Sequence, residues 1–188
     1  MTVFEQALAF ALNAHAGQTR KTGHTPYILH PAEVAAIAAT LTDDPEVLAA
    51  AVLHDTVEDT AMTLDDIRKV FGDRVAALVA GDTENQYVGT PREKSWRTRK
   101  EQSFHHLRIA SHDAKIIWMA DKLSNMRSFY SLYLSEGDAM WEHFNQKDKN
   151  EQRWYYHTVA ELLKEFSDTP AYREYMHRMN VIFGEDVA

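Results

Sequence analysis

His54, Asp55, Glu58 and Asp59 stand where the sequence otherwise writes a buried helix. From Pro45 onward the apolar positions recur at helical spacing. At about 100° per residue, Val47, Ala51, His54 and Glu58 fall on one stripe, and Leu48, Val52, Asp55 and Asp59 on the next. Burying four ionisable side chains is costly unless they are paired with one another or bound to a metal. A plainer alternative is that the helix ends near His54, at the β-branched pair Thr56-Val57, and that the acids beyond it are solvated.

Asp121 poses the same problem. It follows Ile116-Ile117-Trp118-Met119-Ala120, apolar on nearly every side, with Asn125 one turn further on the same face. Its alternatives are metal ligation or an ion pair with nearby Lys122 or Arg127. His30 precedes Pro31 at a helix start, where a histidine is either a cap or a ligand. Taken together, His30, His54, Asp55 and Asp121 make a mixed imidazole–carboxylate set. Such a set suits a divalent ion tolerant of octahedral geometry, such as manganese, with water in the open positions. A metal there lowers the pKa of bound water and polarises a phosphoryl oxygen. Glu58 and Asp59, one turn past His54 and Asp55, are spaced to hydrogen-bond that water or carry its proton.

The elements that must position these residues are helical. Phe4, Ala7, Leu8, Ala11 and Leu12 follow i, i+3, i+4 spacing. Pro31 opens a helix through Leu41, and Asp44-Pro45 opens the next, from Glu46 to about Asp55. Thr63-Leu64-Asp65-Asp66 reads as a capping box, with Gly72 closing that helix and Asp73–Ala80 forming another. Gly81–Pro91 is polar and loop-like. Glu93–Ile109 is a basic helix, and Ser111 caps Lys115–Tyr133. A short helical piece is expected at Ala139–Phe144, then Asn150–Phe166 and Pro170–Phe183. Period-two alternation never persists, so the expectation is an all-α bundle of about nine helices.

Composition agrees and excludes other classes. The 188 residues include no cysteine, which rules out disulfide scaffolds, thiolate metal sites and cysteine nucleophiles. Few Gly and Pro residues argue against a sandwich or barrel. A net charge of −8 argues against a protein that coats a nucleic acid polymer or an anionic membrane. No run approaches the roughly 18 apolar residues of a spanning helix, and no targeting leader is evident. A single domain over residues 1–188, placed in the cytoplasm, is the resulting expectation.

The motifs in order resemble a known family. His30, His54-Asp55 and Asp121 resemble the HD phosphohydrolase superfamily. The segments Gln18–Gly23, Thr25–Pro31, Ala51–Thr60, Phe71-Gly72 and Met119–Arg127 are similar, more narrowly, to the hydrolase domain of RelA/SpoT homologues. With no synthetase domain following, the chain resembles a stand-alone small alarmone hydrolase. Its motif core covers about residues 4–133, and the helices of 150–183 are expected to pack on that core.

The resemblance implies an all-α HD-domain helical bundle and a manganese-dependent removal of the 3′-pyrophosphate from the nucleotides ppGpp or pppGpp. It implies that His30, His54, Asp55 and Asp121 hold Mn²⁺ and that Glu58 and Asp59 are the catalytic acids. Arg20 and Lys21 match the basic pair near base and phosphates, and Asn125 a polar residue on the ribose or phosphate side. A substrate with several phosphates bound to an acidic protein needs local cations, and Lys122 and the Arg97, Arg99, Lys100 group are further candidates. Trp154 and Tyr155 either wall a nucleoside pocket or belong to the core. The 81–92 segment and the tail from Glu136 depart from the longer family members. The same metal set would also serve adenosine alarmones, the 2′-phosphate of NADPH or another nucleotide. A non-catalytic nucleotide sensor is the remaining alternative.

Overall fold

Asp44 caps the helix on which the candidate site is built: its carboxylate accepts from the Glu46 amide at 2.9 Å, and Pro45 supplies a first helical position that needs no N–H donor. In the computed structural model, which describes residues 1–20, 24–82 and 92–184, nine α-helices and two 3₁₀ helices are present and no strand is seen among the described residues. The all-α expectation is met. These residues fall into two compact units.

The first unit takes in described residues of 1–82 and 110–124. It contains α1 (Val3–Ala14), α2 (Leu29–Ala38), α3 (Pro45–Leu53), the one-turn α4 (Thr56–Asp59) and α5 (Leu64–Asp82). Helix α3 packs against α1, α2 and α5. Val47 and Ala49 through Leu53 are fully buried, as expected of a helix apolar all round. Helix α5 is broken at Gly72, whose φ of 89° and ψ of 175° lie in a region open essentially to glycine alone. The sequence places one helix's end and the next one's start at that residue.

The second unit takes in described residues of 92–109 and 125–184. Its helices are α6 (Arg92–Ile109), α8 (Lys149–Leu162) and α9 (Pro170–Phe183), with 3₁₀ turns at Gly137–His143 and Lys164–Phe166. Helix α8 packs on α6 and α9. Helix α7 (His112–Glu136) gives its first half to the first unit and its second half to the second.

Several boundaries differ from expectation. Helix α2 begins at Leu29, so His30 lies inside its first turn rather than ahead of it. Pro31 is tolerated there because the first N–H groups of a helix have no intrahelical acceptor. Helix α3 stops at Leu53, not near Asp55. The helix expected over Asn150–Phe166 is interrupted at Leu163, where α8 passes into a 3₁₀ turn. Gly81 and Asp82 are helical, while Lys21 and residues 83–91 lie outside the described residues. No helix among the described residues is long and apolar enough to cross a membrane.

Candidate metal centre

The chain turns at His54-Asp55, and the turn does what neither sequence alternative foresaw. The helix ends, yet the residues after it stay packed. The His54 ring donates from Nδ1 to the Ala51 carbonyl at 2.8 Å. That carbonyl is one of those a helix end leaves unsatisfied, so the side chain caps the helix it terminates. The Asp55 carbonyl then accepts from the Asp59 amide at 2.9 Å and starts α4. With Nδ1 fixed as donor, the neutral His54 ring presents a lone pair at Nε2.

His30 is oriented in the same sense by a longer relay. Its Nδ1 lies 2.9 Å from Ser124 Oγ, and the Ser124 hydroxyl donates to Glu33 Oε2 at 2.6 Å. The serine proton being committed to Glu33, Nδ1–H donates to the serine oxygen and Nε2 carries the other lone pair. The two imidazoles stand edge to face, 5.2 Å between centroids.

Both Nε2 atoms face carboxylates. His30 Nε2 is 3.2 Å from Asp121 Oδ1 and 3.5 Å from Asp55 Oδ2. His54 Nε2 is 3.0 Å from Asp55 Oδ2 and 3.7 Å from Asp121 Oδ1. His54 Nε2 is nonetheless a buried atom with no hydrogen-bond partner among the described residues. Lone pairs turned toward carboxylate oxygens repel unless a positive charge lies between them, either protons or a metal ion. His30, His54 and Asp121 offer ligand atoms that all lie within 4.8 Å of one another and could hold such an ion. Asp55, outside that group of three, lies against both histidines through Oδ2.

The electrostatics show the same demand. Burial disfavours the charged form of His54, but the charge and contacts of Asp55 and Asp121 outweigh it and raise its pKa well above the ordinary value. His30 is raised likewise, its burial outweighed by hydrogen bonds to Asp121 and Asp55. Asp55 is held well below the usual carboxylate range by His54 and His30 despite its burial. Asp121 is held down too, burial being overcome first by Lys122 and then by the histidines.

Lys122, expected among the phosphate-binding cations, lies with Nζ against Asp121 Oδ2 and 4.7 Å from the centre of the Trp118 ring. Arg20 lies with its guanidinium carbon 5.8 Å from the centre of the Tyr27 ring. Glu58 is half-buried and Asp59 exposed, both on α4. Lys21 is outside the described residues. Asn125 and Tyr155 belong to the second unit. Tyr155 is 3% exposed among Trp96, Phe104 and Tyr156, with Lys100 Nζ 4.7 Å from its ring centre. Arg97 is engaged by Glu151 at 2.8 Å and covers Trp154.

Several side chains around the site carry no signature in spacing. Tyr27 places its hydroxyl 2.6 Å from Asp55 Oδ2 and 2.9 Å from Asp59 Oδ2. Burial first, then the two acids, push its phenol far above the ordinary value, so it remains a donor. Ser124 and Glu33 complete the relay from His30. The sequence signal that could have found Tyr27 and Ser124 is their inclusion in the same short segments as His30 and Asp121.

Comparison with known proteins fits this geometry. The profile of a family described as HD domain matches residues 7–147. A zebrafish (Danio rerio) protein named guanosine-3′,5′-bis(diphosphate) 3′-pyrophosphohydrolase is 40% identical over 128 residues, covering 66% of this chain and 68% of that protein. The bifunctional (p)ppGpp synthase/hydrolase SpoT of Escherichia coli is 41% identical over 133 residues. That match covers 68% of this chain and only 18% of SpoT. Among solved structures, a metazoan ortholog of SpoT that hydrolyzes ppGpp and plays a role in starvation responses superposes with a TM-score of 0.72. It is 26% identical, and the match covers 97% of this chain and 94% of that one. A Listeria monocytogenes protein superposes with a TM-score of 0.71 at 36% identity, over 83% of this chain and 99% of its own.

Proposed function

The chain belongs to the HD domain family, and from that premise we propose that it is a metal-dependent hydrolase that releases pyrophosphate from the 3′ position of ppGpp or pppGpp. The observation that carries the reading is the buried His54 Nε2, without a hydrogen-bond partner among the described residues, facing the same centre as His30 Nε2 and Asp121 Oδ1. The donor set fits a divalent ion: neutral imidazoles pinned through Nδ1, and carboxylates already favoured in their charged form. His30, His54, Asp55 and Asp121 would hold it, and manganese suits their mixed nitrogen and oxygen chemistry.

A divalent ion held there would lower the pKa of a bound water and polarise a phosphoryl oxygen. The chain supplies the rest. Glu58 and Asp59, on the turn that follows Asp55, accept the proton of the attacking water and hold it in line. Arg20 and Lys21 meet the phosphates or the purine face, a guanidinium being suited to both. Lys122, bound to Asp121, fixes that carboxylate and adds positive charge beside it. The products are GDP or GTP and pyrophosphate. The similarity of the zebrafish protein and of the metazoan SpoT ortholog, both named for ppGpp hydrolysis, supports this substrate over other nucleotides.

The test is to incubate purified protein with Mn²⁺ and ppGpp, with EDTA and Asp55→Asn controls, and to follow GDP and pyrophosphate. Metal-dependent release that both controls abolish is the expected result. Metal binding without release from ppGpp would overturn the substrate assignment, and a metal-free active protein would overturn the mechanism.

A further inference from the structure

Helix α4 is a single turn, Thr56–Asp59, and it carries both acids of the proposed reaction. One turn of helix is not stable by itself, because fixing its dihedrals gains a single internal hydrogen bond. Something outside the turn must hold it. One neighbouring stretch, residues 15–27, supplies several ties. Gln18 Nε2 donates to the Asp59 carbonyl at 2.8 Å, and Gln18 Oε1 lies 2.8 Å from His15 Nδ1. The Gln18 carbonyl accepts from the Tyr27 amide at 2.9 Å, which sets Tyr27 beside it. The Tyr27 ring is held between the His15 ring, 5.0 Å away, and the His30 ring, 5.9 Å away. Its hydroxyl reaches Asp55 Oδ2 at 2.6 Å and Asp59 Oδ2 at 2.9 Å.

We propose that Tyr27 is a positioning residue that ties the carboxylate of Asp59 to that of Asp55, with His15 and Gln18 as its backing. The inference rests on the hydrolase reading above for its consequence in turnover, while the tie itself concerns α4 alone. Without the hydroxyl, α4 keeps its sequence and charge but loses the contact that sets Asp59 at a fixed distance from the metal set. Tyr27 acts through Asp59 and need not touch substrate.

Two measurements on the full chain test this. Amide hydrogen exchange across residues 56–59 is compared between wild type and Tyr27→Phe, a change that keeps the ring and its stacking. Exchange in the variant is expected to rise by at least about threefold there while α3 is unchanged. Unchanged exchange at 56–59 would overturn the tie. Turnover of ppGpp by the Mn²⁺-loaded proteins is then compared for Tyr27→Phe, Asp59→Asn and the double variant. The expected loss in kcat for Tyr27→Phe is about 10–100-fold with KM little altered. The double variant should be no more than about twofold slower than Asp59→Asn, because both changes remove one function. Losses that multiply would overturn the claim that Tyr27 acts through Asp59. Should Tyr27→Phe fail to fold, Gln18→Leu cuts the backing from the other side and must give the same rise in exchange. A wild type that releases no pyrophosphate would sink the hydrolase reading, and the exchange comparison would still decide the tie.

Discussion

His30 Nδ1 lies 2.9 Å from the hydroxyl of Ser124, a residue 94 positions away, and that hydroxyl goes on to Glu33 on the histidine's own helix. The relay leaves His30 Nε2 no choice but to face Asp121 and Asp55. Ser124→Ala removes the acceptor and frees the ring to rotate or change tautomer. Outer hydrogen bonds of this kind are worth about 10–100-fold in metal affinity or activity. Titration calorimetry with Mn²⁺ is therefore expected to show affinity lowered by that order. Because Ser124 is fully buried and Glu33 loses a donor, stability should fall by about 1–3 kcal/mol as well. Unchanged Mn²⁺ affinity in a folded variant would remove the relay from the site.

Asp55 and Glu58 separate metal holding from proton handling. Asp55 touches both histidines, whereas Glu58 lies on the following turn. Asp55→Asn is expected to lose bound Mn²⁺ and turnover together. Glu58→Gln should keep the metal and lower kcat by about 10²–10⁴, the range of general acid–base contributions. Equilibrium dialysis beside steady-state kinetics distinguishes the two. Loss of metal in Glu58→Gln would place that residue among the ligands instead.

Metal affinity should rise with pH. Without a metal, the raised pKa values of His30 and His54 keep protons on the nitrogens that the ion needs. Binding must expel them, so affinity is weakest at low pH and strengthens as pH climbs through those raised values. A calorimetric Kd for Mn²⁺ measured from about pH 6 to pH 8 is expected to fall steadily, with protons released to buffer. A Kd flat across that window would mean the nitrogens carry no protons to displace.

The placing of His54 and Asp121 on buried faces is legible in the sequence, because burial of charge is costly and the flanking residues leave those side chains few exposed directions. In the sequence, a helix end near His54 argues only for solvated acids beyond it. The cap from His54 to the Ala51 carbonyl turns that break into part of the site, and such a cap depends on a rotamer that spacing does not encode. Tyr27 and Ser124 were opaque for a different reason. A tyrosine or serine is inexpensive almost anywhere, and the meaning of these two lies in contacts across 28 and 94 residues. The sequence offers Lys122 both as an ion-pair partner for Asp121 and as a cation for phosphate, and the structure shows the first of these, with Nζ against Asp121 Oδ2.

The second unit offers a pH dependence of its own. Glu174 accepts from Arg127 Nε at 2.8 Å and Nη2 at 2.7 Å, and from Arg178 Nε at 2.8 Å. Those guanidiniums, Arg127 first, hold its carboxyl below the ordinary value against a smaller cost of burial. A carboxylate with a depressed folded pKa adds stability in full above its unfolded value, about 4.3, and loses it as pH falls through the folded value. The group is largely solvent-screened, so Glu174→Gln should cost no more than about 1 kcal/mol at neutral pH. Urea unfolding of wild type and variant is expected to show that gap near pH 7 and to show it closing as pH falls through the lowered folded value, where the wild-type carboxylate takes up its proton. A gap that persists undiminished at the lower pH would mean that Glu174 stabilises the unit by packing and not through its charge.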